Sequence, residues 1–266
     1  MKIFQKTLRE EFLITLIFCI LLSAGIYLVI QEFAVARQLD FSYLTERVPD
    51  PLKKIAEAFL VLNVFGGYLH IVASVAWIMI GSVYTCVIFS GLVARETEQK
   101  TLPLLIAHPV GRTQLLLEKY LAAVIYLFLI NLAALAGFYL GTYHGLVNVP
   151  YQAYRFVYIS INGAMFFLAL SSLTLLLSVV FKEHKKAAIT SLIFFLVSYL
   201  TFFLAAFSPK WAKIKAFTLF RFFDTEKLFM STQFQWGNCT ALLIITVILL
   251  LISGIIFHCK DLDSGT

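Results

Sequence analysis

The chain has 266 residues, of which 61% are hydrophobic, 15% aromatic and only 14% charged, with a mean hydropathy of +0.89. Soluble domains carry charge on about a quarter of their residues, so this composition excludes one and indicates a membrane protein. The net charge of +6 suits basic flanks beside membrane helices better than a nucleic-acid surface, and no nucleic-acid partner is expected.

Residues 1–11 open the chain with Ile3, Phe4 and Leu8 near one helical face, continued by Phe12, and with Lys2, Gln5, Lys6 and Arg9 mostly elsewhere. That pattern predicts an interfacial elbow helix. The apolar run 12–30, followed by Ala34-Val35-Ala36, superficially resembles a secretion signal. It is longer than the usual signal core of about 7 to 15 residues, so an uncleaved first membrane helix is expected. Further apolar runs fall at about 68–93, 120–142, 156–181, 187–207 and 240–258, each able to cross about 30 Å of hydrocarbon as a helix. The expected fold is therefore all-α, a polytopic integral membrane protein forming a single transmembrane domain over 1–266.

Residues 59–68 are too short to cross alone and join the second span through Gly66-Gly67. They fit either the outer end of a long helix or a separate interfacial turn. The fourth and fifth spans are separated only by Lys182-Glu183-His184-Lys185-Lys186, which demands a tight antiparallel hairpin with a basic tip. Six crossings place both termini on one side. Lys and Arg are denser in the segments on that side, so it is expected to be cytoplasmic and 208–239 to be an extracytoplasmic loop.

None of the six runs has Asp, Glu, Lys or Arg near its centre, where ion-coupled carriers place their functional charges. His70, Asn131 and Asn162 are the main strongly polar side chains in or near the runs, with Asn63 just before the second; bonding to a neighbouring helix accounts for such groups. Gly67, His70, Ser74, Gly81 and Thr85 recur along one face of the second run, and Ala188, Ser191, Ser198 and Ala205 along the fifth. Such stripes serve close helix packing or line a substrate route. On the second reading His70, Ser74, Thr85, Asn162, Ser191 and Ser198 are the candidate path residues. The chain lacks G-x-x-x-x-G-K-[ST], H-E-x-x-H and G-x-S-x-G, and its four cysteines form no C-x-x-C pair. No catalytic residue, metal ligand or bound cofactor is assigned, and the chain is not expected to be an enzyme by itself.

The loop 94–119 is the most informative segment. Thr101 can cap a short helix in which Pro103 is tolerated. Leu102, Leu105 and Ile106 would then share its face, His108-Pro109-Val110-Gly111 would break it, and Thr113 could cap the helix that follows. Here the chain resembles the permease subunits of ABC transporters, in the type 2 exporter-like family. That family joins its second and third helices by E-x-x-x-G-T-L-x-x-L-L-x-x-P-V-x-R-x-x-x-L-x-x-K or close variants. This sequence supplies Glu96, Thr101, Leu102, Leu105, Pro109, Val110, Arg112, Leu116 and Lys119, with Lys100 where glycine is usual and Pro103 where an acidic residue is common. The similarity extends to the basic hairpin followed by Ala187-Ala188 and to Leu219-Phe220-Arg221-Phe222-Phe223-Asp224.

The resemblance implies a permease subunit, an exporter by family. It would pair with a second copy or a related permease and would be driven by separate cytoplasmic P-loop ATPase subunits, which hold the ATP and Mg. A coupling helix at about 101–107 would dock on the ATPase through Leu102, Leu105 and Ile106. Arg95, Glu96, Glu98, Thr101, Pro109 and Arg112 would complete that contact, and Lys182, Glu183, Lys185 and Lys186 would form a second one. The expected location is a bacterial or archaeal cytoplasmic (inner) membrane. The alternative reading is a non-transporting membrane scaffold or assembly factor that docks a cytoplasmic ATPase; a membrane-embedded lipid enzyme has no constellation of residues to support it. The substrate is not legible.

Overall fold

In hydrocarbon every backbone N–H and C=O must be satisfied within the chain, which leaves helices as the answer to long apolar runs. A computed structural model describes residues 4, 7–9, 11–38, 61–101, 111–144, 151–205, 209–223, 229 and 234–260, and no strand occurs among them. Among the described residues six helices are long and apolar enough to cross a membrane: α1 (Phe12–Ala36), α2 (Phe65–Glu98), α3 (Arg112–Tyr143), α4 (Ala153–Val180), α5 (His184–Ala205) and α6 (Trp236–Cys259). The all-α, six-span architecture expected from the sequence is the architecture observed. Ahead of α1, Phe4 and residues 7–9 are helical. The question left open at 59–68 is answered by Val64, whose extended backbone caps α2, while Val61–Asn63 form a separate 3-10 turn.

The helices α2, α3 and α4 form the centre, and α1, α5 and α6 lie outside them with most of their apolar side chains facing outward. The outward-facing groups, such as Leu13, Leu21, Leu28, Leu251 and Ile255, are those a bilayer would solvate. Along its length α1 packs on α3, α6 packs on α4, and α5 packs on α2 and α4. Close approach relies on glycine where backbones meet: a Cβ on Gly137 would lie 2.8 Å from the Ser23 carbonyl oxygen of α1. Asn131 of α3 donates to the Ser160 hydroxyl of α4 at 2.7 Å, an interhelical bond of the kind expected for a buried amide.

Within α2, Ala73–Met79 form a π-helical segment, a departure from α geometry that often marks special sites. It carries Trp77 inward, 1% exposed, edge-on to Phe138 and Phe167.

The two ends of the bundle differ. At the distal end, the two-turn helix Pro209–Lys215 and the 3-10 turn Leu219–Arg221 lead Phe220 and Phe223 into a buried aromatic cluster with Phe166, Phe195 and Trp77. The Phe229 carbonyl accepts hydrogen bonds from the Tyr151 hydroxyl at 2.9 Å and from Arg155 Nη1 at 3.0 Å. The proximal end gathers residues 7–9, 11, 95–101, 111–119, 181–186 and 258–260, and the charged side chains of interest lie there.

Candidate functional site

The helix α2 runs out of apolar residues at Arg95-Glu96-Thr97-Glu98, and its C-terminal carbonyls need partners. They are met by a turn in which the Thr101 amide bonds to the Glu96 carbonyl at 3.0 Å and the Lys100 amide to the Thr97 carbonyl at 3.2 Å. This is the Schellman arrangement, which requires a left-handed residue between its two bonds. Lys100 occupies that place with φ 55°, the one non-glycine residue with positive φ among the described residues. The position where the sequence departs from the family's glycine is thus the position where glycine is sterically favoured.

Two turns into α3, Lys119 is buried and reaches back across the interface to α2. Its ammonium donates to Glu96 Oε1 at 2.7 Å and to the Leu92 carbonyl at 3.0 Å. The Thr101 hydroxyl donates to the other Glu96 oxygen. Side-chain exposure is 8% for Lys119 and 15% for Glu96, and a charge so far from water is tolerated only when paired and hydrogen-bonded. Glu96 therefore faces into the bundle. Thr101 likewise turns its hydroxyl back to Glu96.

One turn deeper, Ser178 of α4 enters the hydrogen-bond ladder of α2. Its hydroxyl donates to the Ser90 carbonyl at 2.7 Å and accepts from the Val93 and Ala94 amides at 3.0 Å each. A side chain inserted in this way is a recognised cause of local bending in a helix. The inserted hydroxyl and the Glu96–Lys119 pair together bracket the last turns of α2.

The N-terminal segment closes over the same place. Arg95 Nη1 meets Glu11 Oε1 at 2.8 Å, and the Tyr126 hydroxyl donates to the Leu8 carbonyl and lies 3.3 Å from that of Thr7. Between these elements is a polar cavity of about 370 Å3, lined in part by Glu11, Arg95, Glu96, Gln99, Lys119 and Tyr126. The hairpin between α4 and α5 joins from the other side: Glu98 Oε2 accepts from the His184 amide at 3.1 Å, a carboxylate at a helix N-terminus. Lys186 pairs with Glu183 at 2.6 Å, and Lys182, Lys185 and Lys186 are exposed.

Leu102, Leu105, Ile106 and Pro109, the expected docking face and its break, lie outside the described residues. Arg112 turns its Nη1 to the carbonyls of His258 and Lys260, 3.1 Å from each. The cap expected of Thr113 is corrected: α3 starts at Arg112 with Gly111 as N-cap and no side-chain cap bond, because extended Gly111 turns the chain before Thr113 is reached.

The candidate path residues do not converge on one cavity among those described. Thr85 is buried and donates to the Gly81 carbonyl at 2.8 Å, and a Cβ on Gly81 would meet the Phe167 ring at 2.7 Å. Ser74 is buried, and its carbonyl accepts from Tyr199 of α5. His70 is partly buried. Asn162 is buried with its amide nitrogen 3.5 Å from Cys239 Sγ. Ser191 and Ser198 are buried and bond to carbonyls of their own helix. Within one chain Ser74, Thr85, Asn162, Ser191 and Ser198 are thus buried between helices.

Sequence reading passed over Lys119, Ser178 and His184 as site residues. The first matched the family pattern but was placed in the loop; nothing in their local sequence marks the other two. The geometry ties the end of α2 to α3, to α4, to the hairpin and to the N-terminal segment through charged and hydroxyl groups. The family model described as ABC-2 family transporter protein matches residues 4–262. No curated protein is matched by the sequence.

Proposed function

The chain belongs to the ABC-2 transporter family as a permease subunit, and from that premise we propose that it is an exporter working as a dimer, driven by separate ATP-hydrolysing subunits at its proximal end. That end is the cytoplasmic one on the density of Lys and Arg. The partner ATPases bind ATP and Mg; this chain supplies the membrane path and the docking segment. The location is a bacterial or archaeal cytoplasmic membrane with both termini inside.

The observation that supports this reading best is the Glu96–Lys119–Thr101 knot immediately before residues 102–110. A segment that is to pass a push from a soluble motor to membrane helices must be fixed to them at a rigid point. The knot fixes it to α2 and α3 at once, and the Glu98–His184 bond adds the hairpin of Lys182, Glu183, Lys185 and Lys186. Leu102, Leu105 and Ile106 are the apolar anchors; Arg95, Pro109 and Arg112 flank them. On this reading His70, Ser74, Thr85, Asn162, Ser191 and Ser198 remain the candidate path residues.

The test is affinity purification of the tagged chain in mild detergent with identification of what co-purifies, beside a Leu102→Asp/Leu105→Asp variant. A P-loop ATPase recovered with the native chain and lost from the variant is the expected result. ATP turnover in the reconstituted complex should rise with substrate. Absence of an ATPase in every detergent would sink the reading, and an ATPase that binds but never responds to a transported compound would leave the scaffold role instead.

A further inference from the structure

In the chain the docking segment 102–110 lies between the end of α2 and the start of α3, and the first residue of α3 is Arg112. A cation is disfavoured at the N-terminus of its own helix, where the dipole is positive, and the first turn of the 32-residue α3 holds no acidic residue to offset it. Arg112 is turned toward another helix. Its Nη1 donates to the carbonyls of His258 and Lys260, 3.1 Å from each, where α6 ends. The last carbonyls of a helix have no partner within it and carry the negative end of its dipole, so the guanidinium stabilises α6 where it would disfavour α3.

Deeper in the bundle α3 and α6 are parted by an apolar groove of about 450 Å3, with Leu116 and Tyr120 on one wall and Leu250 and Ile255 on the other. The helix α6 packs chiefly on α4, so the Arg112 bonds fasten its end to α3 at the foot of that groove. Lys260 continues the pattern. Its ammonium donates at 2.5 Å to the Val179 carbonyl, one of the last of α4, and Ser178 in the same turn bonds into α2. Glu96 of α2 and Lys119 of α3 complete a circuit. Side chains thus link the proximal ends of α3 to α6, α6 to α4, α4 to α2 and α2 to α3. The segment 102–110 is attached to this circuit at both of its ends, through Thr101 on Glu96 at one and through Arg112 at the other.

We propose that Arg112 is a positioning residue for energy coupling: it holds the end of α6 to the docking segment, so that a displacement of the segment carries α6 along with α2 and α3, and Lys260 passes the displacement to α4. Coupling of this kind needs a continuous physical link between the moving parts, and across the groove between α3 and α6 the link is Arg112. The inference rests on the docking role given to 102–110 above. It adds that the motor's push reaches α6 through a hydrogen-bonded guanidinium.

The test is hydrogen exchange with mass spectrometry on the full chain in its co-purified ATPase complex, without nucleotide and after trapping with ATP, Mg and vanadate. In the native complex, exchange over 102–110 and over 255–260 should change together on trapping. In Arg112→Gln the change over 102–110 should persist while that over 255–260 falls by about two-fold or more, the range in which mutations along a coupling network act. Arg112→Lys, which can still reach a carbonyl, should restore part of it. Lys260→Gln, one bond further round the circuit, should lessen the change over 176–181, which keeps the circuit testable if Arg112→Gln does not assemble; an unaltered change there would overturn it. A merely structural Arg112 would give faster exchange over 255–260 in both states with the nucleotide-driven difference intact, and that result would overturn this inference alone. No change over 102–110 in the native complex would overturn the docking reading, and this inference with it.

Discussion

The Lys119 ammonium lies 2.7 Å from Glu96 Oε1, and both side chains are withdrawn from solvent. Removing one partner leaves the other charge buried, which costs about 3–5 kcal/mol, whereas replacing both by uncharged groups of similar shape is often near neutral. Glu96→Gln and Lys119→Met should each lower the thermal midpoint of the purified permease sharply, and the double variant should recover much of the loss. Additive losses would show that the pair is not coupled.

Lys100 holds a left-handed backbone at φ 55°, which costs an L-residue roughly 1–2 kcal/mol, against roughly 0.5–1 kcal/mol of extra chain entropy lost by glycine on folding. Lys100→Gly should therefore stabilise the chain by about 0.5 kcal/mol, read as a rise of about 1 °C in Tm. Lys100→Ala, which keeps the side-chain cost, should give no such gain. A fall in Tm for Lys100→Gly would mean that the lysine side chain contributes more than its backbone strain takes away.

A Cβ on Gly163 would sit 2.2 Å from Trp77 Cη2, so α4 passes the indole only because position 163 has no side chain. Gly163→Ala should cost at least the roughly 1–3 kcal/mol of an overpacked core. In a Trp77→Leu background the same change should cost much less, because the obstructing ring is gone. Equal costs in the two backgrounds would rule out the contact as the cause.

Ser178→Ala removes the hydroxyl that holds the Ser90 carbonyl and the Val93 and Ala94 amides. A net loss of about 1 kcal/mol for the bonds corresponds to roughly five-fold faster amide exchange at those two positions. Exchange that does not change would indicate that α2 closes its own ladder once the hydroxyl is gone.

Apolar runs of about 20 residues can satisfy their backbones in lipid only as helices, so the all-α, six-span architecture was legible from composition and run length. The family was legible for a related reason: the spacing Glu96, Thr101, Pro109, Arg112 and Lys119 is local and survives as a pattern. The meaning of that pattern was not. Glu96 and Lys119 are 23 positions apart, and only the antiparallel packing of α2 on α3 turns two loop charges into one buried pair. Ser178 is one serine among many until α4 crosses α2 beside Ala94. Nothing in the sequence marks Phe220 and Phe223 of the distal loop for burial; the fold places both in the aromatic cluster with Phe166. Helical state follows from solvation of each segment separately; which charge meets which, and where a cavity remains, depends on how segments far apart in the chain pack together.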